Sequence, residues 1–290
     1  MLKVSFFSYK GGAGRTSMLY NTVSYLAETL GATPENPIVL IDLDIDSKGL
    51  SYLLESDVQT DDKLNAIQIL KHSDAVTDIF MPKQEFFKMM IPVGSQFGLG
   101  SVNNRSVLFV TAHTQEMLNV NGNYDGPSIE LESFARRLEK FGCKALVMDN
   151  PAGGQLSADV ALRISDKIVV VMRITKQFRE GTEEFLRKKK NYDNKEYIVV
   201  PNAVPSDEGT IYSVANIMNR IKGSLVAAAE SQHDTVNTRM LEVEGIHEVR
   251  LFKFEETNLC VKAKTDPLEE DEAAAAKKFK LLAKVIADDE

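Results

Sequence analysis

Close to its start the chain has the stretch Val4-Ser-Phe-Phe-Ser-Tyr-Lys-Gly-Gly-Ala-Gly-Arg-Thr-Ser17. Its first part, Val4 to Phe7, is a β-branched and aromatic run, which predicts a strand. Three glycines then fall within four positions, at Gly11, Gly12 and Gly14. Glycines let consecutive backbone N–H groups turn inward, and the N-terminus of a following helix adds partial positive charge. The stretch therefore predicts a phosphate-binding loop.

A helix is predicted directly after this loop. The apolar residues on its expected buried face are spaced three or four apart, and Gly31 is a typical stop signal. The residues of that face are Leu19, Val23, Leu26, Ala27 and Leu30. Strand, glycine loop and helix thus follow one another without a gap.

The loop departs twice from the P-loop pattern G-x-x-x-x-G-K-[ST]. Tyr9 stands where the first glycine is expected, and Arg15 stands where the lysine is expected. A second cation, Lys10, lies at the loop entrance, and the Thr16 hydroxyl stands where a magnesium ligand is expected. The loop resembles the deviant Walker A loop of the ParA/MinD group of P-loop ATPases, and more narrowly its K-G-G-x-G-R-[ST] branch. A glycine-rich turn without a ligand is the alternative.

Composition is that of a soluble globular protein, with 290 residues, 43% hydrophobic and 26% charged. No apolar run approaches the ~18 residues that span a bilayer, and the N-terminus lacks a signal-peptide pattern. Cys143 and Cys260, two cysteines far apart in sequence, do not make a disulfide framework. A net charge of −8 argues against a nucleic-acid surface over much of the molecule. We expect a cytoplasmic protein.

Continuous apolar runs predict strands that are buried on both faces of a parallel sheet. They are residues 38–42, 145–149, 168–172 and 197–200. Helical patterns lie between them, at residues 128–141, 176–190 and 209–230. Alternating strands and helices predict an α/β fold with a doubly wound, mostly parallel sheet and helices on both faces. Ligands bind such sheets at the carboxyl ends of the strands.

We expect one domain over residues 1–290, with an elaboration at about 56–127 and a C-terminal helix at about 267–287. Within the elaboration, the sequence predicts a helix at 63–71 and strands near 86–93 and 107–113. A loose stretch rich in Gly, Ser and Asn separates the two strands. A further strand is predicted at 249–254.

Asp149 follows a buried strand and opens the sequence Asp149-Asn-Pro-Ala-Gly153. A carboxylate here can hold Mg²⁺ directly or through water, and the glycine backbone can approach a γ-phosphate. The sequence resembles the D-x-P-A-G switch II of the ParA/MinD group. A strand-terminal turn without a ligand is the alternative.

Asp42-Leu-Asp44-Ile-Asp46-Ser-Lys-Gly-Leu50 resembles switch I of the arginine-containing branch. The resemblance implies that Asp44 positions the attacking water and that Asp42 lies near magnesium or the phosphates. The same carboxylates superficially match the start of an EF-hand loop. We reject calcium because the glycine and glutamate of that loop are missing from their positions.

Asn202 lies at the end of another buried strand, and Pro205 follows shortly after it. The resemblance implies that this asparagine reads the adenine edge and that the adjoining loop packs on the ring. The guanine-reading N-K-x-D motif is absent, because Asn194-Lys-Glu-Tyr197 ends in tyrosine and precedes its strand. We therefore expect ATP and not GTP. A plain Pro-Asn turn is the alternative.

The resemblance also implies how the loop works. Lys10 reaches across a nucleotide-sandwich homodimer, Arg15 contacts β/γ oxygens, Thr16 ligates Mg²⁺ and Ser17 lies near the α-phosphate, while the amides of residues 11–14, including Ala13, surround the phosphates. This predicts a slow or partner-stimulated ATPase that acts as a positioning, partitioning or regulatory switch. A non-hydrolysing ATP sensor that recruits a partner protein is the alternative, favoured by Arg15.

Two surfaces suggest further partners. The cationic run 187–190 could touch DNA phosphates, although a solvated helix end is the simpler interpretation. The last helix has Lys277, Lys280 and Lys284 on one face and apolar residues on another. Its acidic flanks disfavour an anionic membrane, so we expect this helix to pack on the sheet.

Overall fold

The computed structural model describes residues 1–54, 63–71, 80–100, 103–113, 125–187, 195–205, 216, 218–224, 227, 240–242, 245–253 and 255–288. The described strands are β1 Leu2–Phe7, β2 Ile38–Asp42, β3 Ile91–Pro92, β4 Val107–Val110, β5 Ala145–Asp149, β6 Lys167–Arg173, β7 Glu196–Val204, β8 Met240–Glu242 and β9 Ile246–His247. The α-helices with defined ends are α1 Arg15–Thr29, α2 Gly49–Leu54, α3 Ala66–Leu70, α4 Lys83–Lys88, α5 Asp125–Lys140, α6 Leu156–Ile164, α7 Lys176–Arg187, α8 Leu259–Lys262 and α9 Glu270–Ala287. Residues 218–224 are also helical.

The strands form one sheet in the order β3-β4-β2-β5-β1-β6-β7-β8, and β9 also pairs with β7. The described pairings are parallel except for that of β3 with β4. The predicted doubly wound, mostly parallel α/β fold is confirmed. The described part of the 56–127 segment supplies both strands at one edge of this sheet.

The sheet is covered on both faces because successive residues of each central strand enter different cores. In β2, Ile38 and Leu40 pack into one core, and Val39 and Ile41 pack into the other. Helices α1 and α9 contribute to the first core, and α5 and α6 contribute to the second. This two-sided burial explains why the strand sequences are continuously apolar.

The strand predicted near residues 86–93 is mostly wrong. Residues 83–88 form helix α4, which begins after Pro82, and only Ile91–Pro92 is a strand. Phe86 is fully buried, its ring centroid lies 5.9 Å from that of Phe134, and the Arg137 guanidinium lies 4.1 Å from its centroid. The two adjacent phenylalanines therefore lie in a helix that packs against α5, although their sequence favours a strand. Pro82 was the available signal, since proline favours the start of a helix.

A second prediction, of a strand in the C-terminal part, is also wrong. The strand predicted at 249–254 contains a 3-10 helix at Leu251–Lys253, and residue 254 lies outside the described residues. The predicted C-terminal helix is confirmed as α9, and its apolar side, including Phe279 and Leu282, is buried with α1 in the first core. Its charged face, with Lys277 and Lys280, is exposed. The packing interpretation is therefore confirmed.

The patterns at 128–141 and 176–190 correspond to α5 and α7, although residues 188–190, and so most of the cationic run, lie outside the described residues. Most of the helix predicted at 209–230 also lies outside them. None of the helices in the described ranges is long and apolar enough to cross a membrane.

Candidate functional site

The predicted site residues meet at the carboxyl edge of the sheet. The glycine loop follows β1, Asp42 ends β2, and Asp149 ends β5, directly opposite Asp42 in the strand register. On the other side of β1, Arg173 at the end of β6 lies opposite Asn202 of β7. The parallel order of the strands therefore brings segments that are far apart in sequence around one loop.

Two side chains hold the glycine loop from its outer side. Arg173 Nε donates to the carbonyl oxygen of Gly12 at 2.8 Å, and Asn202 Nδ2 donates to that of Ala13 at 2.9 Å. In a trans peptide the carbonyl and the next N–H point in opposite directions. Anchoring these two consecutive carbonyls therefore directs the following amides toward the other side of the loop, as a phosphate cradle requires.

Gly14 is required for this arrangement on two grounds. Its φ is +82°, a left-handed conformation that residues other than glycine rarely adopt. A Cβ atom there would also overlap Asn202 Nδ2. Helix α1 starts at the next residue, so its N-terminal amides face the same space.

A bulge at the end of β7 positions Asn202. The register with β9 shifts between Asn202 and Val204, and Ala203 between them has φ +52°. Bulges of this kind redirect neighbouring side chains. The Asn202 side chain lies against the loop, while Pro205 is exposed immediately beyond the strand.

Thr16 and Asp149 lie together at the mouth of the loop. Thr16 Oγ1 donates to Asp149 Oδ2 at 2.8 Å, and Asp149 is fully buried. The backbone N–H of Gly153, four residues further on, donates to the carbonyl of Ser8 at 3.0 Å. The Asp149–Gly153 segment is thus fastened to the start of the glycine loop.

Arg15 forms a buried network with two carboxylates. Its Nε donates to Asp149 Oδ1 at 2.5 Å, and its Nη2 donates to Asp44 Oδ2 at 2.9 Å. Only 8% of the arginine is exposed. These hydrogen bonds go to carboxylates, whereas sequence reasoning assigned Arg15 to β/γ oxygens.

The pKa values of Asp149 and Asp44 are shifted in opposite directions because the surroundings of the two carboxylates differ. Burial raises the pKa of Asp149, although Arg15 and the Thr16 hydroxyl oppose this shift. Burial also acts to raise the pKa of Asp44, but hydrogen bonds from Ser47 and the charge of Arg15 outweigh it and lower that pKa. Burial would lower the pKa of Arg15, but Asp149 and Asp44 raise it. The guanidinium and Asp44 therefore form a charged pair.

Asp42 lies next to this network and is fixed by hydrogen bonds. Its Oδ2 accepts from both the backbone N–H of Ser51, at 2.9 Å, and the Ser51 hydroxyl, at 2.8 Å. Its Oδ1 accepts from the backbone N–H of Asp44 at 3.0 Å. Asp42 thus fixes the backbone that carries Asp44. Burial, followed by the charge of Asp149, raises the pKa of Asp42 to about 7.

This raised pKa predicts a measurable pH dependence of stability. Between about pH 4 and 7 the folded state binds a proton at Asp42 that the unfolded state has released, so stability falls as pH rises. One proton contributes at most about 1.4 kcal/mol per pH unit. Asp42→Asn, which keeps an acceptor for Ser51, is expected to flatten this slope in urea unfolding at about pH 4 to 7. An unchanged slope would exclude Asp42 as its origin.

Lys10 and Tyr9 lie away from the carboxylates, against helix α7. Lys10 Nζ donates to Gln177 Oε1 at 2.7 Å, and Tyr9 Oη donates to Glu184 Oε2 at 3.4 Å. Both loop side chains are exposed. Ser17, in the first turn of α1, is half-buried.

The oxygen atoms of Thr16 and Asp149, beside the glycine loop, are suitable ligands for a magnesium ion. Mg²⁺ usually takes only one or two protein ligands, together with phosphate oxygens and water. The Thr16 hydroxyl and the Asp149 carboxylate, within hydrogen-bond distance of each other, are such a set. Within the described ranges, no group of three or more His, Cys, Asp or Glu side chains could hold a metal alone.

Sequence reasoning missed three residues of the site. Arg173 supports the loop, Ser51 anchors Asp42, and Gln177 binds Lys10. Each belongs to a different strand end or helix from its partner, and none stands in a motif. The position of Arg173 at the end of a buried strand was the one available signal.

Comparison with known proteins shows which solved structures share this fold. No family model matches the chain, and no curated protein matches it. Solved structures do match, over nearly the whole length of both chains. The fold is that of the ParA/MinD-type P-loop ATPases.

Three neighbours illustrate this likeness. A complex of a Cyanothece McdA variant with ATP has a TM-score of 0.67 at 12% identity and covers 100% of this chain and 98% of its own. A ParA family ATPase from Chlorobium tepidum TLS has a TM-score of 0.65 at 14% identity, with 98% of each chain covered. The septum site-determining protein MinD with Mg-ADP from Pyrococcus horikoshii OT3 has a TM-score of 0.59 at 16% identity and covers 99% of this chain and 96% of its own. At these identities the likeness establishes the fold.

Proposed function

We propose that this protein binds ATP with Mg²⁺ and hydrolyses it slowly, as a ParA/MinD-like ATPase. The observation that carries the proposal is the contact of Thr16 with Asp149, 2.8 Å apart at the mouth of a glycine loop. The McdA and MinD neighbours, solved with ATP and with Mg-ADP, support the ligand class. Residues 1–290 act as one such domain, and the expected location is the cytoplasm.

The phosphates are bound mainly by backbone groups in this proposal. The amides of residues 11–14, the N-terminus of α1 and the Ser17 hydroxyl supply donors that need no rearrangement. Support for this comes from Arg173 and Asn202, which hold the two loop carbonyls outward. We also assign Asn202 to reading the adenine edge, with the loop at Pro205 beside the ring, so that ATP is preferred to GTP.

Thr16 and Asp149 would hold Mg²⁺, with Asp42 one layer behind them. When bound, the ion supplies positive charge that neutralises the phosphate oxygens. Asp149 already has one oxygen directed to Thr16. Its other oxygen is paired with Arg15. Arg15 therefore balances the charge of the site before nucleotide binds.

Asp44 is the proposed water-orienting residue. It is ionised, partly shielded and adjacent to Arg15, so it can accept a hydrogen bond from a water beside the γ-phosphate. Its Oδ2 is already occupied by the guanidinium. In this proposal Arg15 gives up a carboxylate when it contacts β/γ oxygens. Such an exchange of partners would slow turnover, and a partner protein or DNA could stimulate it.

ATP is also proposed to join two copies of the chain. Lys10 is exposed at the loop entrance, and an ammonium on a flexible stem can reach the phosphates of a second copy. Lys10→Ala is expected to abolish ATP-dependent dimerisation in multi-angle light scattering. Lys176→Ala, at a nearby exposed lysine, is the matched control. Intact dimerisation of the Lys10 variant would contradict the cross-dimer role.

The competing function is an ATP sensor that dimerises and recruits a partner without turnover. The buried pairing of Arg15 with both carboxylates favours it. Steady-state phosphate release with Mg²⁺, alone and with added DNA or anionic vesicles, separates the two. Release above a no-protein blank supports the ATPase, and its absence under all conditions leaves the sensor. Either function serves positioning, partitioning or regulation.

A further inference from the structure

The entrance of the glycine loop is docked along one face of helix α7. Lys10 bonds Gln177, the Tyr9 ring covers Gly181, and the Tyr9 hydroxyl reaches Glu184. The three helix positions are spaced by four and three residues, which places them on the same side of a helix. Loop entrance and helix therefore form one continuous contact.

Gly181 makes this contact tight. A Cβ atom at this position would overlap Cδ1 and Cε1 of the Tyr9 ring. The ring thus occupies the space that any other residue would fill. This accounts for tyrosine at the position where the P-loop pattern has its first glycine, because the bulk of Tyr9 is accommodated by the missing side chain of Gly181.

Lys10 is engaged within its own chain. Its ammonium donates at 2.7 Å to the side-chain carbonyl of Gln177, the second residue of α7. A phosphate of a second copy would compete with this acceptor for the ammonium.

We propose that Gln177 is a positioning residue that holds Lys10 in cis and thereby sets the ATP concentration at which two copies associate. This inference rests on the proposed function of Lys10. The neutral amide oxygen of Gln177 is a weak acceptor for the Lys10 ammonium compared with a carboxylate or a phosphate oxygen. The hold is therefore strong enough to orient Lys10 and weak enough for a triphosphate to displace it.

The test is an ATP titration of dimerisation with the full chain, followed by light scattering. Gln177→Ala removes the acceptor and is expected to lower the ATP concentration for half-dimerisation by roughly three- to tenfold. Gln177→Glu replaces it with a charged acceptor and is expected to raise that concentration by a similar factor. Glu180→Gln, at an exposed neighbour that pairs only with Lys176 among the described residues, is the control and is expected to match the wild type.

A second variant tests the ring contact. Gly181→Ala pushes Tyr9 off the helix and is expected to shift the midpoint in the same direction as Gln177→Ala. Circular dichroism checks that it folds. If it does not, the two Gln177 variants, which change an exposed side chain, still decide the question.

The results distinguish a failure of the inference from a failure of the proposed function. A lower midpoint for Gln177→Ala and a higher one for Gln177→Glu, with unchanged binding of a fluorescent ATP analogue to dilute monomer, support the inference, and the reverse order contradicts it. If the wild type dimerises with ATP and both variants behave like it, or shift in the same direction, the inference is wrong and the proposed function stands. If the wild type does not dimerise with Mg·ATP at all, both the dimer proposal and the inference are overturned.

Discussion

Arg15→Ala is expected to lower the free energy of unfolding by about 3–5 kcal/mol at about pH 8. The arginine is the shared counter-ion of Asp149 and Asp44, and all three side chains are buried. Its removal leaves two carboxylates facing each other, with Asp42 behind them. An uncompensated buried charge is the costly product of breaking such a network.

The same variant has a predicted pH dependence. Without Arg15 the pKa values of Asp149 and Asp44 rise in the folded state, so the folded protein binds more protons than the unfolded chain. Stability then falls as pH rises, and the deficit relative to the wild type is largest near about pH 8 and smallest near about pH 5. Urea unfolding at both pH values measures this.

Arg15→Lys is the matched control for charge. A lysine retains the positive charge but lacks the fork that serves two carboxylates at once, so we expect an intermediate loss. A deficit below about 1 kcal/mol for the alanine variant, equal at the acidic and the alkaline pH, would show that the Arg15 network contributes little to the stability of the fold.

Asp44→Ala is expected to reduce ATP turnover at least about 100-fold while leaving nucleotide binding in place. The loop amides that we assign to the phosphates, and the side chains of Thr16 and Asp149, are not altered by this change. The lost carboxylate is the one that we assign to orienting water. Phosphate release reports the first effect, and titration with a fluorescent ATP analogue reports the second.

Asp46→Ala is the control, because Asp46 belongs to the same acidic segment but is exposed. It is expected to keep wild-type turnover. If Asp44→Ala turns over at the wild-type rate, Asp44 is not the water-orienting residue. If it loses nucleotide binding as well, Asp44 contributes to the binding site and not only to turnover.

The parts of the fold that sequence predicted are those with strong local signals. Buried parallel strands such as Ile38–Asp42 are continuously apolar, and the glycine loop is followed at once by a periodic helix. Helix α4 was missed because its two phenylalanines form an apolar run whose conformation is decided by packing against α5. Strands β8 and β9 are too short to give a pattern.

The sequence also predicted where the candidate site residues lie. Thr16, Asp42, Asp44 and Asp149 each follow a strand or the glycine loop, so their place at one edge of the sheet could be predicted, while the roles that the resemblance gave them stay predictions. The partners of Arg15 could not be predicted, since they depend on how close three strand ends come in space. The contact of Lys10 with Gln177 spans 167 residues and has no local signal.

The central claim is that the loop at residues 11–14, with Thr16 and Asp149, binds the triphosphate of ATP together with magnesium. Calorimetric titration of the wild-type chain with ATP in Mg²⁺ tests it most directly. We predict a saturable heat of association at about one nucleotide per chain, weakened when Mg²⁺ is chelated and much smaller with GTP. No heat with Mg·ATP at any concentration tested would contradict the claim.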